Sequence, residues 1–343
     1  MASSSSIVPP GGLVLVTGVT GFIGSYVASG LLGLGYRVRG TVRSSEKAAW
    51  ITQAMTERHP SAEFEAIILP DQNATGAWDP ILKGVDGIAH VAGDTSFGPD
   101  PNKVITPSVA GLRRLLDAAN SKESSVKRFV LTSSNQAALN RTFGKRMLVN
   151  RSMWNEEAIE SAWRPPPYEE DRSWDVYSAL KAQTEREMWT FSREEKPKFV
   201  VNSVLPSCTI GAIFHEKQAG STAKWVLDTF KDPANHAFLK DFGASYFCYV
   251  EDVALLHIGA LTQEGVKNER LFGFGGSINF NSWLDVFRKL DPSKPWPEDD
   301  PAQLHDLSTI DGKTELNILK YFGKAGWTDF DDSVWKLYSL ADK

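Results

Sequence analysis

Tyr177 and Lys181 stand four residues apart in Trp174-Asp175-Val176-Tyr177-Ser178-Ala179-Leu180-Lys181, within a helical pattern that runs on through Glu185 and Glu187. On a helix that spacing puts phenol and ammonium on one face. A neighbouring cation favours phenolate and draws a tyrosine pKa down from about 10 towards the working pH. Tyr177 is then competent to hand a proton to a forming alkoxide, with Lys181 tuning it and reaching a cofactor ribose. Alone, such a pair is most often a solvated helix pair, so its meaning depends on what else the chain brings. The apolar run Arg128 to Thr132 continues into Ser133-Ser134. If that run is a strand, Ser134 lies at the carboxyl edge of a sheet, where open α/β folds bind ligands. Its hydroxyl can donate to a carbonyl oxygen. Ser133 is the alternative, and is expected to be a structural turn residue because successive strand positions face opposite ways.

A second cluster suits phosphate. The run Leu13 to Thr17 leads directly into Thr17-Gly18-Val19-Thr20-Gly21-Phe22-Ile23-Gly24, and a helical pattern opens at once. Glycines there permit a tight turn and close backbone approach, and a helix N-terminus offers free N–H groups to a pyrophosphate. Thr17, Gly18, Thr20, Gly21, Phe22 and Ile23 are the expected contacts. The next strand reads Arg37-Val38-Arg39-Gly40-Thr41-Val42-Arg43 without an acid. An acid at its end would hold a ribose 2′-OH, whereas arginine accommodates a 2′-phosphate. Arg43, backed by Lys47, is therefore the expected clamp, with Arg39 in reserve and Arg37 taken as a solvated strand end. By position alone, Asp71 is a candidate for the adenine and Val91, Ala92 and Gly93 for the cofactor's flank. Loop capping and small-residue packing explain them equally well.

Strands are expected at Leu13 to Thr17, Arg37 to Val42, Phe64 to Leu69, Gly87 to Val91, Arg128 to Thr132 and Phe199 to Leu205, separated by helical patterns. This alternation predicts an α/β chain with a doubly wound parallel sheet of Rossmann type. After Leu205 aromatic-rich stretches predict a smaller C-terminal substrate-binding lobe, with one strand near 270–276 returning to the sheet. The expected division is a frayed tail at 1–10, a dinucleotide-binding domain at 11–205, and a region at 206–343 that is mainly substrate lobe.

The 343 residues carry a formal net charge of -5, which gives no basic field for nucleic acid. No run approaches the roughly 20 apolar residues of a membrane span. Two cysteines, Cys208 and Cys248, are too few for a disulfide framework and point to a reducing, cytoplasmic setting. The six histidines have no metal-ligand spacing, so no metal is expected; His90 and His257 sit in apolar runs and read as satisfied core residues. Asp252 is expected to be a helix cap. The partners expected are a small-molecule substrate and the cofactor, with the chain a monomer or homodimer.

With glycine turn, strand-end serine and Tyr-x-x-x-Lys in order, the sequence resembles an extended short-chain dehydrogenase/reductase over nearly its whole length. Within that superfamily it is similar to the branch holding dihydroflavonol reductases, cinnamoyl-CoA reductases and fungal NADPH-dependent aldehyde reductases. Supporting stretches are Tyr36 to Arg43, Val126 to Ser134 and Tyr249-Val250-Glu251-Asp252-Val253-Ala254. The resemblance implies NADPH as cofactor and reduction of a small carbonyl compound. It also implies that Ser134 polarises the carbonyl, Tyr177 protonates it, and Pro206 to Thr209 line the nicotinamide. With chain order it places Phe97, Trp174, Thr209, Trp225 and Phe242 near the substrate. Two departures stand out. Ser108 occupies the position where many members carry a relay asparagine, and the insert at 135–175 lacks the cysteine signature of cinnamoyl-CoA reductases. A nucleotide-sugar epimerase or dehydratase of the same fold and a non-catalytic NADP-sensing regulator are the alternatives. Arg43 weighs against the first, and the retained Tyr-x-x-x-Lys pair against the second.

Overall fold

Hydrophobic runs of four to seven residues alternate with capped helices, and the chain folds accordingly in this computed structural model, which describes residues 6–140, 143–218 and 222–339. The strands are β1 (Leu13–Thr17), β2 (Arg37–Val42), β3 (Phe64–Ile68), β4 (Gly87–His90), β5 (Arg128–Thr132), β6 (Leu148–Val149), β7 (Val200–Pro206), β8 (Cys208–Ile210), β9 (Ser245–Tyr249), β10 (Arg270–Gly273), β11 (Gly276–Ile278) and β12 (Thr309–Ile310). The helices are α1 (Phe22–Gly33), α2 (Ser45–Arg58), α3 (Pro101–Ala119), α4 (Glu156–Ala162), α5 (Ser173–Glu195), α6 (Thr222–Lys231), α7 (Ala237–Phe242), α8 (Val250–Thr262), α9 (Phe280–Leu290), α10 (Lys313–Tyr321) and α11 (Phe330–Ser339). Local chemistry sets the helix starts. The Asp100 side chain accepts from Asn102 N ahead of Pro101 in α3, and Asn279 and Ser282 form a reciprocal capping box on α9.

Seven parallel strands form the main sheet in the order β10-β7-β5-β4-β1-β2-β3. The order reverses between β1 and β4, and the carboxyl ends of these two strands open the crevice in which such sheets take ligands. β1 and β5 are buried along their whole length, as expected for a sheet covered on both faces. Helices α1 and α8 pack together on one side, α3 and α5 on the other. A smaller sheet, β11-β9-β8, lies with α6, α9 and α11 around its own core of Phe230, Phe247, Phe280, Trp283 and Phe287.

The chain after residue 205 is more interleaved than its sequence implies. α8 belongs with α1 and the main sheet, and α10 packs on α8 and β10. Its buried face, including Val253, Leu256, Ala260 and Leu261, completes the main core. Asp252 is not the helix cap expected: it lies inside the first turn of α8, whose start has no side-chain cap hydrogen bond. It is fully buried, pairs with Lys324 at 2.7 Å and accepts from the backbone and hydroxyl of Thr328, so it anchors the C-terminal segment to α8. Two residues of the segment 1–10, expected to be a frayed tail, are packed instead. Ile7 N–H donates to Thr262 O, and Val8 is fully buried because its isopropyl group fills the end of the core.

One buried ion pair joins four elements. Glu185 of α5 accepts from Arg270 of β10 at 2.7 and 3.1 Å, from Ser133 at 2.8 Å, from Ser203 of β7 at 2.6 Å and from Trp189 at 3.2 Å. Arg270 also donates to the carbonyls of Arg151 and Met153 and lies 4.0 Å over the Trp154 ring. Removing one partner strands a buried charge. Glu185→Ala should therefore cost ~3–5 kcal/mol in urea denaturation, while Glu185→Leu combined with Arg270→Met should cost clearly less. Equal losses would reduce the pair to packing.

Candidate active site

The glycine turn is built for a guest that needs backbone and little else. Gly18 has φ +64°, and a Cβ on it would lie 2.9 Å from Ala92 Cα. A Cβ on Gly24 would stand 2.3 Å from Gly18 O, so the first turn of α1 can close on the loop only without side chains. Gly21 is the N-cap residue of α1 and brings no side-chain cap. The leading N–H groups of that helix are thus left for an anion. Thr17 ties the cradle to β4. Its hydroxyl accepts from Ala92 N–H at 3.0 Å and shares a hydrogen bond of 2.9 Å with His90 Nδ1. Burial, and next the Lys181 charge, push His90 down to about 4 and keep it neutral.

At the end of β2 the three arginines separate by role. Arg37 donates to Gly11 O at 2.9 Å, and Arg39 pairs with Glu65 at 2.8 Å and donates to Ile81 O at 2.6 Å. Arg43 is exposed and, among the described residues, has no hydrogen-bonding or ionic partner. Ser44 caps α2 by accepting from Lys47 N at 3.3 Å, so Arg43 and Lys47 flank the start of that helix. The cationic clamp expected at Arg43 and Lys47 is available, whereas the reserve, Arg39, is committed elsewhere.

α5 carries Tyr177 and Lys181 across the carboxyl edge of β5. Ser133 is committed to Glu185, and Ser134 is the serine that faces Tyr177 closely enough to act on its phenol, while its hydroxyl donates to Asn135 Oδ1 at 3.3 Å. Ser134 also caps the short turn Asn135–Ala137 by accepting from Gln136 N at 3.3 Å. Lys181 is buried, with Nζ donating to Thr132 O at 3.3 Å and lying 5.8 Å from the centre of the Tyr177 ring. One expectation needs correction here. The Tyr177 pKa is raised, not lowered, because burial outweighs the opposing effect of Ser134. Lys181 faces the β5 carbonyl rather than the phenol oxygen. Burial also brings Lys181 itself down to about 8, opposed by the charges of Asp94 and Glu185. Gly93 lies at the same place: a Cβ there would be 3.2 Å from Lys181 Nζ.

Above this group sits a wall of rings. Phe97 stacks on Tyr177 with centroids 4.8 Å apart, meets Trp174 at 4.9 Å and Trp225 at 6.3 Å. Trp174 reaches Phe242 at 6.3 Å, and Trp225 reaches Phe238 at 4.8 Å. Four of the aromatic candidates, Phe97, Trp174, Trp225 and Phe242, are thus brought together around Tyr177. The turn Gly220-Ser221 that precedes α6 lies outside the described residues.

A family model described as the NAD dependent epimerase/dehydratase family matches residues 14–272. This chain belongs to that family. Its relatives include an NAD-dependent epimerase/dehydratase, terH, of Aspergillus terreus, 72% identical over 98% of this chain and 99% of that protein. Aldehyde reductase 2 of Sporidiobolus salmonicolor is 39% identical over 96% of each chain. The structure of Gre2 from Candida albicans in complex with NADPH superposes with a TM-score of 0.79 at 22% identity, covering 96% of this chain and 99% of that one, a likeness of fold.

Within the family frame, some expected residues stand apart from the group around Tyr177. Thr209 on β8 turns its hydroxyl to Ser207 O at 3.1 Å and towards the Cys248 thiol at 3.5 Å, while Pro206 ends β7 in register with Gly273. Asp71 accepts from Asn73 N at 2.8 Å, the loop cap weighed as its alternative. Ser108 donates to Val104 O at 2.7 Å along its own helix, so its hydroxyl is held away from any relay. Phe22 packs edge-on against Tyr26, and Ile23 and Val91 lean on the main core. Sequence reading missed the role of Glu185, which the continuing four-residue spacing 177, 181, 185 signals.

In the cofactor-free protein Lys181 should titrate near pH 8, well below the usual lysine value of about 10.4. Asp94→Asn should move it lower still, since the Asp94 charge supports the ammonium. Side-chain NMR of labelled lysines checks both; an ordinary lysine titration at this position would show that Nζ is hydrated.

Proposed function

We propose that this chain is an NADPH-dependent carbonyl reductase that converts uncharged aldehydes or ketones bearing aryl or alkyl groups into alcohols. The observation that carries the reading is the contact of Ser134 with Tyr177, one helical turn from Lys181, between a side-chain-free phosphate cradle and an apolar aromatic wall. The names of relatives agree: an aldehyde reductase and a ketoreductase of Aspergillus novofumigatus, the latter 34% identical. The fold neighbour from Candida albicans is described with NADPH.

The residues fit that cofactor. Gly18 and Gly24 leave room for a pyrophosphate at the uncapped start of α1, and Arg43 with Lys47 offers an unpaired cationic fork for a 2′-phosphate. When bound, the dinucleotide supplies a hydride. The rest is done by this chain. Ser134 donates to the carbonyl oxygen and holds it beside the phenol. Tyr177 passes its proton to that oxygen as negative charge develops there. Its raised pKa suits the task, because a proton donor must be protonated at rest. Lys181, still mostly ammonium at neutral pH, stabilises the phenolate left behind and is placed to hold a ribose hydroxyl. The ring wall excludes water from the reacting oxygen and prefers apolar substituents. No sugar-diphosphate reading draws comparable support from these rings. The two cysteines are buried thiols, compatible with a cytosolic enzyme.

Tyr177→Phe keeps the stacked ring and deletes the proton donor, so carbonyl turnover should fall by roughly 10²–10⁴ while NADPH binding survives. Near-normal turnover would overturn the reading. Arg43→Asp should weaken NADPH far more than NADH in kcat/KM; a wild-type enzyme that uses NADH as well as NADPH would remove Arg43 from the cofactor site.

A further inference from the structure

Between β8 and α6 the chain crosses back over the start of α1, a segment to which neither the glycine turn nor the Tyr-Lys pair draws attention. It is fastened at three points. Tyr26 donates to Ala212 O at 2.9 Å, Arg58 donates to Phe214 O at 2.8 Å with its guanidinium 3.8 Å over the Phe214 ring, and His215 stacks on Trp50 at 4.6 Å. At its end lies Gln218. Its Oε1 accepts from Phe214 N–H at 2.9 Å, which fixes the orientation of the amide. Its Nε2 then faces the glycine turn, 3.3 Å from Thr20 O, 3.2 Å from Gly21 O and 2.9 Å from Ser25 Oγ.

We propose that Gln218 is a positioning residue of the dinucleotide cradle: its amide group holds the Thr20 and Gly21 carbonyls turned out of the phosphate pocket. The inference rests on reading the glycine turn as the cofactor site. The physical argument is short. In a trans peptide the C=O and N–H point in opposite directions. A donor that captures Gly21 O on one side of the turn therefore aims the Phe22 N–H to the other, where an anion is held. The same donor also offsets the negative ends of two carbonyl dipoles that would otherwise lie close to phosphate oxygens. Gly21 O also accepts from Ser25 N–H at 3.0 Å as the first bond of α1, so Gln218 is the second donor there, whereas for Thr20 O it is the one side-chain donor among the described residues, since Gly21 has no side chain and Ser25 Oγ donates to Phe22 O.

The three other fastenings hold the segment without Gln218, so a substitution can separate positioning from folding. NADPH and NADH are titrated into the protein without substrate, by calorimetry, and the melting temperature of the cofactor-free protein is measured alongside. Gln218→Ala should weaken both cofactors by the same factor, on the order of tenfold, as expected for loss of the hydrogen bonds to the Thr20 and Gly21 carbonyls, with the melting temperature nearly unchanged. Gln218→Glu keeps the shape and the acceptor for Phe214 N–H but cannot donate, and should lose at least as much. Unchanged affinities with a lowered melting temperature would make Gln218 a tether of the segment and overturn the proposal. So would a loss seen only in the glutamate variant, which would be charge repulsion, or one confined to NADPH, which would belong to the 2′-phosphate. A wild-type protein that binds neither dinucleotide would instead sink the cofactor site itself.

Discussion

The Glu185 carboxylate is buried where α5, β5, β7 and β10 meet, and the placement of every reactive group follows from how it is satisfied. A carboxylate removed from water needs donors on all its lone pairs. Ser133, Ser203, Trp189 and a two-pronged Arg270 supply them. Each donor also fixes a position. Ser133 is the residue before Ser134, so binding it to α5 sets the strand-end hydroxyl against the helix that carries Tyr177. Arg270 in turn holds the carbonyls of Arg151 and Met153, which draws the long insert after β5 onto the sheet edge. The ion pair's net contribution to stability can be small, but the alternatives it excludes are many. Slippage of α5 by one turn would leave the carboxylate without these partners.

The same helix face shows why the site is buried and yet workable. Lys181 would be a solvated cation on an ordinary helix; here burial lowers it to about 8, and Asp94 and Glu185 keep it from falling further. Tyr177 moves the other way. Two groups with ordinary pKa values near 10 are thus pushed apart by desolvation, one becoming a firmer acid carrier and the other a cation that can release its proton close to neutrality. His90 nearby stays neutral, which spares Lys181 a like charge and leaves Thr17 free to tie β1 to β4.

How much of this was legible depended on whether local spacing carried the information. β1 and β5 coincide with the runs that announced them, since a parallel strand buried along its whole length leaves a largely apolar stretch, and β2 falls at its expected bounds although arginines interrupt it. The Tyr177–Lys181 pair and the glycine turn were readable for the same reason: their partners lie within one helical turn or one loop. Long-range assignments were not. Asp252 reads as a helix cap until Lys324 and Thr328 arrive from more than 70 residues away. The aromatic residues after β7 illustrate the limit well. Trp225, Phe238 and Phe242 join the rings around Tyr177, whereas Phe230, Tyr246 and Phe247 pack into interior cores, and no pattern along the chain distinguishes the two sets. The direction of the Tyr177 shift was misjudged because sequence shows a neighbouring cation but not the depth at which the pair is buried.

Phe97 brings the two halves of the site into a single constraint. Its φ of +54° lies in the left-handed region, which a bulky residue enters only when its surroundings over-determine it. Those surroundings are the rings of Tyr177, Trp174 and Trp225, contributed by α5 and α6. The backbone at Phe97 therefore stores a cost that is offset by stacking, and that stacking covers one face of the Tyr177 ring. With that face covered, Tyr177 cannot swing away from the β5 edge without uncoupling Phe97 from the wall. A carbonyl compound entering beside Ser134 meets a phenol already aimed, and its substituents must pack against rings whose positions are set by the same contact. Proton delivery and substrate shape are in this way read by one aromatic stack rather than by two separate devices.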